Sequence, residues 1–195
     1  LLEIDRLAAM TENAKESILE AARRTAQAHG YGGLNLRDIA AAAGIKAASI
    51  YYHFPGKAEL GAAVARRYWE TTATNLEALS AAIKDPAEAL RAYPKLFRRA
   101  LEEDNRMCLC SFMAAEYDDL PDVVKTEVQA FADVNAAWLA RMLSAACGGG
   151  TDWEGRARAI FAAVAGAQLM ARSRASLSLF DTLIDSFIES GLIPN

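Results

Sequence analysis

Apolar residues recur along this chain at three- and four-residue spacing and rarely alternate. That period puts them on one face of a helix, not on a strand. Ala14, Ile18, Leu19, Ala22 and Ala26 form the first such stripe. It predicts a helix from about Thr11 to His29, capped by Thr11 or Asn13 and ended at Gly30. Residues 1–10 either extend this helix or are in part an expression remnant. Leu60, Val64, Tyr68, Thr71 and Leu79 predict a long helix from Lys57 to about Ile83. Asp85-Pro86-Ala87-Glu88 is a helix start, with an Asp cap, Pro at the first position and an acid in the first turn. The helix it opens runs to about Glu103, kinked at Pro94. Further helices are predicted over 106–117, from Pro121 to about Ala146, over Trp153–Ala175 and over Leu179–Ser190. Asn135 interrupts an otherwise apolar face and needs a partner there. Thr151 or Asp152, and Ser176 or Ser178, are the caps of the last two helices. Gly148-Gly149-Gly150 is the clearest loop.

The stretch from Leu34 to Leu60 departs from this plain pattern. Asn35 caps a short Ala-rich helix with Ile39, Ala42 and Ala43 on one face. Gly44, free to take positive φ, stops it, and Ile45 anchors the turn. A second short helix runs from about Lys46 to Tyr52, with Ile50 and Phe54 facing inward. Two short helices joined by a three- to four-residue turn containing Gly make a helix-turn-helix. The outer face of the second helix carries Lys46, Ala47, Ala48, Ser49, Tyr51, Tyr52 and His53. Small residues let a helix sit deep in a groove, and hydroxyls and amines reach phosphates and base edges. A helix of an ordinary core would carry Leu or Val at several of these positions.

The run Asp38-Ile39-Ala40, Ala43-Gly44-Ile45, Ser49-Ile50-Tyr51-Tyr52-His53-Phe54, then Lys57 and Leu60, resembles the TetR/AcrR family of bacterial transcriptional regulators. With the preceding helix and Gly30-Tyr31, the resemblance covers about sixty residues. It implies an all-α fold of about nine helices: an N-terminal three-helix helix-turn-helix DNA-binding domain over 11–57, its motif at 35–54, and a larger C-terminal ligand-binding and dimerisation domain over 58–195. It further implies a homodimer that binds double-stranded operator DNA, usually represses, and is released by a small-molecule inducer. The helix beginning at Lys57 would link the two sites. Two positions depart from the family pattern. Lys46 stands where Ser or Thr usually caps the recognition helix, and Ala47 stands where a basic residue is frequent.

Charge and cysteine content narrow the picture. The 195 residues carry a net charge of −4. Residues 1–70 hold 9 Lys+Arg against 8 Asp+Glu, and residues 71–195 hold 12 against 17. The acidity therefore lies in the second part, and attraction to DNA must come from a few placed cations. Hydrophobic residues at 53% supply a substantial core. Three Cys give no disulfide framework, and no apolar run reaches spanning length. A cytoplasmic protein without a membrane partner and without a cofactor is expected. No Ser-His-Asp set, phosphate-binding glycine loop or HExxH motif points to an enzyme.

The expected DNA contacts are Asn35, Arg37, Lys46, Ala47, Ala48, Ser49, Tyr51, Tyr52, His53 and Lys57. On apolar and aromatic content, the pocket candidates are Tyr68, Tyr93, Phe97, Cys108, Phe112, Met113, Trp138 and Gln168, which imply a mostly apolar ligand. Ile160, Phe161, Val164, Ala167, Phe180, Leu183, Ile184 and Phe187 are the candidate dimer face. Cys108 and Cys110, two apart and without a completing His, make a poor metal site. They read as buried packing residues, or else Cys108 reads as a thiol that senses electrophiles or oxidants. A helical ligand carrier without a DNA role is the remaining alternative, and it leaves residues 34–60 unexplained.

Overall fold

The computed structural model describes residues 2–148 and 153–195, with side chains from residue 11 onward. The expected cap at Thr151 or Asp152, and Gly149-Gly150, lie outside the described residues. Among the described residues the chain is all-helical. The helices are α1 (Leu2–His29), α2 (Leu36–Ala42), α3 (Ala47–His53), α4 (Lys57–Ala82), α5 (Pro86–Ala92), α6 (Lys95–Glu102), α7 (Leu109–Ala114), α8 (Asp122–Cys147), α9 (Trp153–Ser173) and α10 (Leu177–Glu189). A 3-10 turn, Tyr117–Asp119, separates α7 from α8.

The first helix starts at Leu2, so residues 2–10 extend it as the sequence allowed, because no Pro or Gly interrupts residues 2–29. Two boundaries differ from expectation. Pro94 divides the helix expected over 86–103 instead of merely kinking it. Tyr93 caps α5, and the ladder restarts with Phe97 N–H on the Pro94 carbonyl at 3.0 Å. That division accounts for ten α-helices among the described residues where about nine were expected. The helix expected over 106–117 shrinks to α7. Asp104 and Asn105, at φ 57 and 55, turn the chain back after α6. The Met107 N–H is then spent on the Gln27 carbonyl at 3.3 Å. The cap before α10 is Ser176, whose Oγ accepts from the Leu179 N–H. Asp85 caps α5 as expected, accepting from Ala87 and Glu88 N–H groups.

The long helix α4 packs on α1 at its start and along α8 beyond it, and α8, α9 and α10 follow as successive neighbours. Ile18, Ala22, Ala26, Ile50, Leu60 and Val64 are buried around the first three helices, and the core continues without a break into Leu90, Leu109, Leu139 and Leu143. Asn135 finds its partner in this core. The Tyr93 hydroxyl donates to Asn135 Oδ1 at 2.8 Å, and Asn135 Nδ2 donates to the Phe131 carbonyl at 2.8 Å. Tyr93 also stacks on Trp138, whose indole N–H donates to Ser80 Oγ at 2.8 Å. Three helices are thus joined by polar groups that are all satisfied.

Tyr93→Phe strands Asn135 Oδ1 without its donor, and a buried acceptor left alone costs about 1–3 kcal/mol. Urea denaturation is expected to show a loss of that size, with secondary structure unchanged.

Candidate nucleic-acid interface and the cavity behind it

The helix-turn-helix is built by short-range rules. Asn35 Oδ1 accepts from the N–H groups of Arg37 and Asp38 at 2.9 and 3.3 Å, which starts α2. Gly44 then takes φ +71, its N–H returning to the Ala41 carbonyl, and Ile45 N–H reaches the Ala40 carbonyl at 3.0 Å. This left-handed turn suits glycine because it lacks a Cβ. α3 begins at Ala47, and Lys46 makes no side-chain cap bond. A missing cap costs about 1 kcal/mol.

Burial divides α3 sharply. Ile50 is fully buried beside Ile39, Ala40 and Phe54, and it is the one buried residue of the helix. Lys46, Ala47, Ala48 and Ser49 are exposed, Tyr51 is 50% exposed and Tyr52 80% exposed. His53 is half-buried between the rings of Tyr52 and Phe54. Asn35 and Arg37 are exposed at the start of α2. Lys57, at the start of α4, directs its ammonium to the Gly32 carbonyl at 3.0 Å and over the Tyr31 ring at 4.6 Å.

Side chains remote in sequence tie this unit to the second part of the chain. Glu116, just after α7, accepts from the Tyr31 and Gly32 N–H groups at 2.5 and 2.9 Å. A Cβ at Gly30, itself at φ +68, would collide with that carboxylate. Arg172 of α9 donates to the Gln27 and Ala28 carbonyls at 3.2 and 2.9 Å. These groups belong to the last turn of α1, whose carbonyls have no helical partner and whose dipole favours a cation. Arg172 also lies over the Phe112 ring at 4.7 Å. The unpaired N–H groups after Gly30 were the signal that an acceptor was needed, but the sequence does not say which one.

A second tie holds α4 to α8. The buried Glu127 carboxylate takes Arg66 through Nη2 at 2.5 Å and Nε at 3.1 Å, and the Trp69 indole N–H at 2.8 Å. The Arg66 guanidinium holds the Glu127 carboxyl below the ordinary glutamate range.

Behind the helix-turn-helix lies a cavity of ≈ 370 Å³ between α1, α4 and α6. Val64, Tyr68, Leu96, Phe97, Cys108 and Phe131 supply apolar and aromatic lining; Arg23, Arg67, Arg99, Glu20 and Glu103 supply charge. Of the expected pocket residues, Tyr68, Phe97 and Cys108 line it. Tyr93, Trp138 and Gln168 do not, because their polar ends are committed inside the core. Gln168 accepts from Cys108 N–H at 3.0 Å and donates to the Phe97 carbonyl at 2.7 Å. Met113 is fully buried, and Phe112 faces Arg172 instead. The lining also corrects the expected apolar character, since charged groups from α1 contribute to it. Cys108 and Cys110 are buried, and burial pushes both thiols up, toward the unreactive protonated form.

The expected dimer face is corrected in the same way. Ile160, Val164, Ala167, Phe180 and Ile184 are buried in the chain's own core. Phe161 packs edge-on against Phe97 and Phe131. Leu183 and Phe187 are half-buried. The outward surface of α9 instead presents Ala162, Gly166, Leu169 and Met170, the last two 57% and 51% exposed. A helix with apolar residues on most sides does not reveal its inner face by period alone.

These features define a helix-turn-helix protein with a helical second part built onto the end of its first helix. Residues 18–64 match the family model described as bacterial regulatory proteins, tetR family. The HTH-type transcriptional regulator LmrA of Bacillus subtilis is 36% identical over 84 residues, 43% of this chain and 45% of that protein. The HTH-type transcriptional repressor AcnR of Corynebacterium efficiens is 36% identical over 80 residues, 38% and 43% of the two chains. The matches span less than half the length of these two relatives. A TetR-family transcriptional regulator from Agrobacterium tumefaciens superposes with TM-score 0.86 at 27% identity, covering 92% of this chain and 98% of the other. Residues 18–64 thus match the tetR-family regulatory region, and the chain as a whole shares the fold of a TetR-family regulator.

Glu116→Gln keeps the shape but removes the charge from two hydrogen bonds. Such bonds are worth about 1.5–3 kcal/mol when charged, so the Tyr31 and Gly32 amides are expected to exchange hydrogen about tenfold faster or more. Glu127 contributes stability above its unfolded value of about 4.3. That contribution disappears as pH falls through its depressed folded value. Thermal melts across pH are expected to show Glu127→Gln less stable at pH 7, with a flatter decline below about pH 4.

Proposed function

We propose that the protein is a DNA-binding transcriptional regulator, acting as a repressor that a small molecule releases from its operator. The observation that carries this reading is α3, a seven-residue helix with Ile50 its one buried residue, and with two tyrosines and three small residues turned outward. No packing role accounts for Tyr52 at 80% exposure, whereas a major-groove helix needs such groups. The names of LmrA and AcnR, matched over this same region, support the reading.

A homodimer completes it. Its two-fold axis would pair the outward faces of α9 and α10 with their copies, through Ala162, Gly166, Leu169 and Met170 with the half-buried Leu183 and Phe187. Two α3 helices then enter successive major-groove faces, about 34 Å apart. The effector enters the cavity between α1, α4 and α6. Because α4 begins at the DNA-binding unit and lines that cavity, a shift in α4 changes the spacing of the recognition helices. A coupling of roughly 1–3 kcal/mol is typical of such linkage.

A gel shift with DNA from the protein's own promoter region tests the reading, and no complex at low salt on any sequence would refute it. Tyr52→Ala is expected to abolish the shift while the protein still elutes as a dimer. Unchanged affinity would mean that another face meets the DNA.

A further inference from the structure

We propose that the molecule taken up by the cavity is a monocarboxylate with an apolar body, its head group on Arg67. This rests on the reading of the cavity as the effector site. Three arginines and two glutamates line the cavity. Arg23 is already spent: Nε and Nη2 fork onto Glu20 at 2.9 and 2.7 Å, and Nη1 donates to Gln27 Oε1 at 2.6 Å. Arg67 is only half spent. Its Nη2 pairs with Glu16, while Nη1 is buried and has no hydrogen-bond partner among the described residues. A buried donor left alone is costly and is rare in folded proteins.

Arg67 also stands at the head of a polar stripe. Thr71 and Asn75 follow it at four-residue steps along α4, and all three line the cavity. Leu96 and Phe97 of α6 and Phe131 of α8 add apolar lining from the neighbouring helices. Polar and apolar groups lining one cavity suit an amphipathic molecule. One open guanidinium arm suits a monoanion, and a planar carboxylate matches guanidinium geometry. Arg99, exposed and also on the lining, adds long-range attraction.

The test is calorimetric titration of the full chain with decanoate, 1-decanol and decyl phosphate, repeated with 2-naphthoate and 2-naphthol. Decanoate or 2-naphthoate is expected to bind at least tenfold tighter than the alcohol of the same body. Arg67→Met is expected to erase that difference, and Arg67→Lys, which keeps the charge, to retain part of it. Glu16→Gln, which breaks the existing ion pair but leaves the guanidinium, is expected to preserve it. The proposal is overturned if the alcohols bind as tightly as the acids, if no carboxylate binds, if decyl phosphate binds tighter than decanoate, or if Glu16→Gln loses as much as Arg67→Met. Release of the protein from its promoter DNA separates the two levels. Release by neutral compounds alone would overturn the carboxylate and leave the effector reading standing. Release by no small molecule of any charge would remove both.

Discussion

The last turn of α1 is the point on which the two parts of the molecule depend. A helix end leaves carbonyls without partners, and the turn after it leaves N–H groups in the same state. Here both sets are satisfied from the other part of the chain. Arg172 serves the carbonyls and Glu116 serves the N–H groups. The charges match the sign that each set of orphan groups requires. Because the partners come from α9 and from the turn after α7, the helix-turn-helix cannot change its angle without disturbing charged hydrogen bonds. The continuous core beneath makes the junction stiff, and the cavity opens beside it.

That junction explains why the cavity is not the apolar pocket expected of the second part alone. α1 forms one wall and brings Glu20, Arg23 and Gln27 with it. A molecule held there touches the first helix of the DNA-binding unit directly, as well as the shared helix α4. α1 packs on α2, which packs on α3, and α4 begins just after α3, so both helices at this site connect to α3.

The local features were legible in the chain. Asn35, Gly44 and Asp85 each act within four residues of themselves, so their roles follow from identity and position. The family resemblance over residues 34–60 rests on the same kind of local rule. What could not be read was the choice among partners far apart in sequence. Glu116, Arg172, Glu127 and Arg67 look like ordinary surface charges until the helices are packed. The buried candidates failed for a related reason. Tyr93, Trp138 and Gln168 had the right chemistry for a pocket, but each had a polar partner waiting in the core. Most of the stripe on α9 and α10 faces inward, Ile160, Val164, Ala167, Phe180 and Ile184 being buried, while Leu183 and Phe187 stay half-buried.

The single anchor of α3 has a further consequence for how such a protein can change over generations. Since Ile50 alone holds the helix in the core, the outward positions contribute little to folding. Substitutions there alter the outward face of α3 while leaving the scaffold intact. That face is therefore free to drift by single steps, each tolerated by the fold, whereas the ties at Glu116 and Arg172 constrain residues on both sides of the junction at once.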